Sequence, residues 1–153
     1  MSAMRIYICE ACKDIQKAKE DLLKRRFPSG ECSIEYLPSG QPILAREGKQ
    51  AGYVSVSHTD DTLAMTFADK PVGIDIERKD REVSSRICDS IEEWTRREAY
   101  GKFLGVGINK EILSATLPDK LINPVYFGEY VVSVCSEERA EGIETLIDNC
   151  LRE

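Results

Sequence analysis

Three consecutive stretches in the middle of the chain alternate between apolar and small or polar residues. Val54 and Val56 alternate with Ser55 and Ser57; Leu63, Met65 and Phe67 alternate with Ala64, Thr66 and Ala68; Val72, Ile74 and Ile76 alternate with Gly73, Asp75 and Glu77. A period of two belongs to extended strands, whose side chains point alternately to opposite faces. The pattern predicts three strands, each with one buried face. The short connections at 58–61 and 69–71 predict that they pair as an antiparallel meander.

The flanks add helices and further strands. Residues 5–9 (RIYIC) read as a strand, and 14–27 as a helix with Ile15, Leu22 and Leu23 on one face and Asp14 as its cap. A strand is predicted at 32–37, a turn at 38–42, and an exposed loop from there to Gly52, given its charges and glycines. A helix is expected over roughly 84–104, where Ile87, Ile91 and Trp94 fall on one side. Gly101 weakens it by about 1 kcal/mol relative to Ala, and Gly105 and Gly107 end it. One or two strands follow within 126–135, then a closing amphipathic helix over 137–151. The expectation is an α+β fold in one domain, 1–153, with two comparable halves at about 1–70 and 71–153.

A length of 153 residues suits one domain with its own core. No apolar run approaches the roughly 20 residues of a membrane span, and the first residues are too polar for a secretory signal, so a cytoplasmic location is expected. The net charge of −6 argues against general nucleic-acid binding. Six cysteines without a secretory signal predict thiols rather than a disulfide framework. Cys9 and Cys12 form a lone CxxC pair, too few ligands for zinc without a second pair.

Asp75 and Glu77 lie two apart on a predicted strand and so share a face. Carboxylates about 7 Å apart repel unless a cation or solvent lies between them. Mg²⁺ suits such a pair, because it accepts a few carboxylates together with phosphate oxygens and waters. A solvated strand face, with Glu77 paired to Arg78 or Lys79, is the plainer alternative. Glu98 and Lys102 share a helix face at i, i+4. They can be a surface ion pair, or a third carboxylate beside a phosphate-binding lysine. The only histidine, His58, follows Ser57 where a strand enters a turn.

Taken in order, the turn Ser57-His58-Thr59, the run Gly73-Ile74-Asp75-Ile76-Glu77, and Trp94-x-x-Arg97-Glu98-Ala99-x-x-Lys102 with Gly105-x-Gly107 resemble the 4′-phosphopantetheinyl transferase superfamily. The mid-chain position of the acidic run resembles its surfactin-synthetase-activating type. That resemblance implies a monomer of two pseudo-symmetric halves, with antiparallel strands packed on helices and coenzyme A between them. It implies transfer of 4′-phosphopantetheine from coenzyme A to a serine of an acidic acyl- or peptidyl-carrier protein, with release of 3′,5′-ADP. The implied Mg²⁺ ligands are Asp75, Glu77 and Glu98, Mn²⁺ being an equivalent oxygen-seeking ion. Glu98 and Lys102 are the implied catalytic pair. Lys102, Gly40, Gln41, Pro42, Ser57 and His58 are implied for coenzyme A binding, and Lys24, Arg25 and Arg26 for its phosphates. Neither nucleic acid nor membrane is an implied partner.

Three departures stand out. Arg97 and Gln41 replace family lysines, only the 16 residues 78–93 separate Glu77 from Trp94, and the family's basic residue for the 3′-phosphate has no counterpart beyond the candidates Lys17 and Lys19. They leave open a degenerate, non-catalytic relative that binds coenzyme A or a carrier protein, and a structural α+β protein with an incidental acidic strand.

Overall fold

The computed structural model describes residues 4–138 and 140–147. Strand β1 (Met4–Glu10) leads into helix α1 (Ile15–Arg26), whose first turn is capped by the Asp14 carboxylate accepting from the Lys17 N–H at 3.1 Å. Strands β2 (Cys32–Tyr36), β3 (Pro42–Arg46), β4 (Lys49–Thr59) and β5 (Thr62–Ala68) follow, all joined antiparallel. Strand β6 (Val72–Arg78) precedes helix α2 (Ile91–Leu104) and the short helix α3 (Lys110–Ser114). A single 3₁₀ turn at Asp119–Leu121 leads to β7 (Ile122–Phe127), β8 (Tyr130–Ser136) and β9 (Ala140–Ile147).

The strands form two sheets, one in the order β2-β3-β4-β5-β1-β9 and one in the order β6-β8-β7. One face of the six-stranded sheet carries Tyr7, Leu44, Val54, Met65 and Phe67 and is covered by Ala18 and Leu22 of α1. The other carries Ile6, Ile8, Ala64 and Ala68 and packs on Ile74, Ile76, Val132 and Val134 of the three-stranded sheet. Ala99 of α2 packs beyond that sheet with Cys135 and Ile122. The molecule is thus α+β, built as helix, sheet, sheet and helix.

Several expectations require correction. Strand β6 does not continue the meander: it starts the second sheet by pairing with β8 from Val72↔Ser136 to Arg78↔Tyr130. Strands β5 and β6 are buried on both faces except at Arg78, because each has the other sheet on one side and a helix on the other, α1 over β5 and α2 over β6. The supposed loop before Gly52 is a hairpin of β3 and β4. Its charged residues sit at the tip, where Glu47 and Gly48 both have positive φ (53° and 75°), as a two-residue hairpin turn demands.

The helix predicted from 84 begins at Ile91. The Ser90 hydroxyl accepts from the Glu93 N–H at 3.1 Å, and Ile87, 44% exposed, belongs to a separate turn. The closing helix is instead strand β9, which fills the open edge of β1 in parallel. Gly142 and Thr145 are poor helix formers, so little opposed the extended form there; residues 148–151 lie outside the described residues. The halves are accordingly unequal, and β9 returns the chain to the first sheet.

Candidate active site

Ile74 and Ile76 point into the layer between the sheets, so Gly73, Asp75 and Glu77 face the other way, towards α2. Gly73 is required there: a Cβ on it would run into the Ala99 carbonyl and the Phe103 N–H of the helix backbone. The close approach brings Glu98 and Lys102 of α2 over a strand carrying two carboxylates. Asp75 is 4% exposed and Glu77 8%. Gly101 serves the same end of the helix, since a Cβ on it would strike the Gly107 carbonyl.

Strand β4 lies beside β6 without forming a ladder. Its serine hydroxyls satisfy the backbone of β6 instead: Ser55 Oγ accepts from the Ile74 N–H at 3.0 Å and Ser57 Oγ from the Ile76 N–H at 3.1 Å. The Ser57 hydroxyl donates in turn to Asp75 Oδ1 at 3.0 Å. Lys102 closes the same seam. Its Nζ donates at 2.9 Å to the carbonyls of Val56 and Ile74 and lies 3.8 Å from Asp75 Oδ1. Buried backbone groups need such partners when the ladder is missing.

The remaining oxygen of Asp75, Oδ2, is buried with no hydrogen-bond partner. Burial raises the Asp75 carboxyl well above its ordinary pKa; Glu77 and Glu98 push it further up, while Lys102 and Ser57 oppose them. Burial also raises Glu98, helped by Glu77 and opposed by Lys102 and Arg81. Three carboxylates from two elements therefore feel one another. Arg81 partly neutralises them through a 2.6 Å contact with Glu77 Oε1, and its guanidinium sits 5.8 Å from the Trp94 ring centroid.

Beside Lys102 opens a cavity of about 280 Å³, lined by Gly40, Gln41, Pro42, Val56, Gly105 and Val106 among others. Gly105 has φ 76° and ends α2, and the Gln41 side chain packs so close that a Cβ on Gly105 would strike its Oε1. The cavity therefore joins the 38–42 turn, the edge of β4 and the end of α2.

The structure thus brings together Asp75, Glu77, Glu98 and Lys102, with Ser57 behind Asp75 rather than open to a ligand. Gly40, Gln41 and Pro42 meet Lys102 across the cavity. His58 is exposed on β4 and does not line it. Lys24, Arg25 and Arg26 form the last turn of α1 and are also absent from its lining; Arg26 borders a separate hollow with Phe27, Glu31 and Arg46. Lys17 is engaged with Asp21 on α1 at 3.5 Å. Glu77 pairs with Arg81, not with Arg78 or Lys79. Arg81 and Ser55 carry roles that the sequence reading missed. Only the repetition of serine at 55 and 57 hinted at the second.

Among the described residues, no three His, Cys, Asp or Glu side chains already stand as a set able to hold a metal ion. The donor chemistry still fits Mg²⁺, which takes one or two carboxylates with waters and substrate phosphates rather than a complete protein cage. The orphaned Asp75 Oδ2 is an oxygen donor whose burial is otherwise uncompensated. No described helix is long and apolar enough to cross a membrane. No protein-family model matches the chain, and no curated protein does.

Proposed function

We propose that the chain transfers the 4′-phosphopantetheine group of coenzyme A to a serine hydroxyl of an apo acyl- or peptidyl-carrier protein, releasing 3′,5′-ADP. The observation that carries this reading is the partnerless, buried Asp75 Oδ2, in a carboxylate set with Glu77 and Glu98, beside a lysine that lines a cavity. A carboxylate held this way costs stability unless a cation relieves it. The motif order of the surfactin-synthetase-activating transferases supports the same reading.

Asp75 and Glu77 on β6 and Glu98 on α2 would hold Mg²⁺. Bound there, the ion supplies Lewis acidity towards phosphate oxygens. Glu98 takes the proton of the carrier serine as general base. Lys102, fixed by two carbonyls, presents a positive charge at the cavity wall and stabilises the negative charge of the departing 3′,5′-ADP. Ser57 fixes the Asp75 carboxylate, and Gly40, Gln41 and Pro42 form the opposite wall for the nucleotide end. Orientation and fixed charge supply most of the rate.

Incubation of the protein with Mg²⁺, fluorescent coenzyme A and apo carrier proteins tests this directly. Covalent labelling that is lost in Glu98→Gln supports transfer; no labelling of any apo carrier contradicts it. A second reading, a relative that binds coenzyme A or a carrier without chemistry, draws on the Arg81–Glu77 contact and the absence of a ready three-ligand set among the described residues. Coenzyme A binding by calorimetry with no turnover selects it.

A further inference from the structure

The CxxC pair lies outside the proposed site. Cys9 ends the part of β1 that pairs with both neighbours, opposite Leu63 of β5 and Leu146 of β9, and is fully buried. Cys12 lies in the link between β1 and α1, between exposed Ala11 and Lys13, and is 7% exposed. Ala11 has φ 56°, a left-handed conformation that an alanine rarely adopts. This turn folds Cys12 back so that its thiol lies 3.2 Å from Cys9 Sγ and 3.3 Å from the Cys9 carbonyl. The Cys12 N–H donates to the Asp61 carbonyl at 2.8 Å, which fixes the returned segment against the β4–β5 turn. Strain of this kind persists only where the surroundings impose it, and here it sets two sulfurs side by side.

We propose that Cys9 and Cys12 are a redox-active dithiol, a thiol–disulfide exchange site that closes to an intramolecular disulfide on reaction with a small disulfide oxidant. Closure needs the sulfurs to approach from 3.2 Å to about 2.05 Å, a small side-chain movement. Cys12, the more exposed of the two and held by a short irregular segment, attacks first. Its thiolate displaces one thiolate from the oxidant R–S–S–R and forms a mixed disulfide. The Cys9 thiolate then attacks Cys12 Sγ, forms the Cys9–Cys12 bond and expels the second R–S⁻. The two cysteine protons end on the two R–SH products, so the cysteines lose two electrons and the oxidant gains them.

Cys88 and Cys135 are less suited to this chemistry. Burial raises Cys88 above its ordinary range and pushes Cys135 up to about 12, which leaves little thiolate on either.

The test uses the whole protein in glutathione buffers running from fully reduced to fully oxidised. It is then quenched with an alkylating reagent under denaturing conditions and digested with trypsin. The peptide 6–13 carries both cysteines and no other. The expected result is that this peptide, in the native protein, becomes resistant to alkylation and lighter by two hydrogens. The change should pass from less than a tenth to more than nine-tenths across the series, before the peptides carrying Cys88 and Cys135 change. A peptide that stays alkylatable in oxidised glutathione, or one that oxidises only after denaturant is added, overturns the proposal. Order of attack is read from trapped adducts: Cys9→Ala should accumulate glutathione on Cys12, whereas an adduct on Cys9 in Cys12→Ser with none on Cys12 in Cys9→Ala contradicts it. The wild-type measurement stands without either variant.

Discussion

Two charged clusters grow from the same strand and differ in almost everything except their carboxylate count. At the end of β6, Arg78 reaches Asp60 at 3.9 Å and Asp80 and Glu129 at 3.0 Å, and all three carboxylates are well exposed. A few residues earlier, Asp75 and Glu77 are buried with Glu98 nearby, and one oxygen of Asp75 has no partner. The first cluster has a cation at its centre and water around it. It holds Asp80 below the ordinary carboxylate range through a hydrogen bond from Arg78. The second pushes Asp75 and Glu98 upward, mainly by burial. The comparison teaches that the number of acidic residues says little about a site; what separates a solvated ion network from a candidate centre is desolvation without full compensation.

The largest effect should come from Glu98→Gln. Loss of a proton acceptor is expected to cut carrier labelling by about 10²–10⁴-fold. The melting temperature should not fall, because the substitution removes a carboxylate that is raised by burial. Next is Gly73→Ala, which places a methyl group against the backbone of α2. A loss of about 1–3 kcal/mol in chemical denaturation is expected, with labelling lost as the helix shifts off β6.

Asp75→Asn should act in the opposite direction on stability. In chelator it is expected to gain stability, since it removes a buried charge that Lys102 and Ser57 only partly offset, while labelling disappears. The pH dependence follows from the same carboxyl. Its folded pKa lies above its unfolded value, so the native state keeps a proton that the unfolded chain has already released. That contribution to stability is complete below the ordinary carboxylate value and is lost as pH rises through the folded pKa. Unfolding measured in chelator from about pH 4 upward should show a decline in wild type that flattens in Asp75→Asn. The smallest effect belongs to Arg78→Ala. Labelling should be unchanged and only a salt-sensitive fraction of stability lost, because the pairs it breaks are exposed.

Much of the central β-structure was legible, because strict alternation over Leu63–Phe67 and Val72–Ile76 has no helical equivalent. Helix α1 and its Asp14 cap were legible for the same kind of local reason, as was the stop of α2 at Gly105. The change of sheet at β6 was not. Alternation fixes that a strand exists but not which edge it joins, and here the serines at 55 and 57 take over a role usually filled by a ladder. The hairpin at Glu47-Gly48 was hidden by its charges, and β9 by a sequence with no decisive period.

Asp75, Glu77, Glu98 and Lys102 were legible as a group only through their order along the chain. The reason they can meet, the missing side chain at Gly73, was present in the motif but carries no chemistry of its own. Arg81 was not legible, since its neighbours Arg78 and Lys79 look equally able to pair with Glu77. Exposed His58 and the basic turn 24–26 looked like ligand contacts by type, yet the topology leaves them off the cavity that Lys102 lines.

Thermal unfolding of the wild-type protein with coenzyme A, in saturating Mg²⁺ and again in chelator, bears most directly on the buried cluster. Stabilisation follows ligand affinity. A much larger rise with both ligands than with either alone is predicted, abolished in Asp75→Asn and kept in Arg78→Ala. A coenzyme A effect of the same size in chelator as in Mg²⁺, or no effect in either, would contradict a shared cation and phosphate site at Asp75.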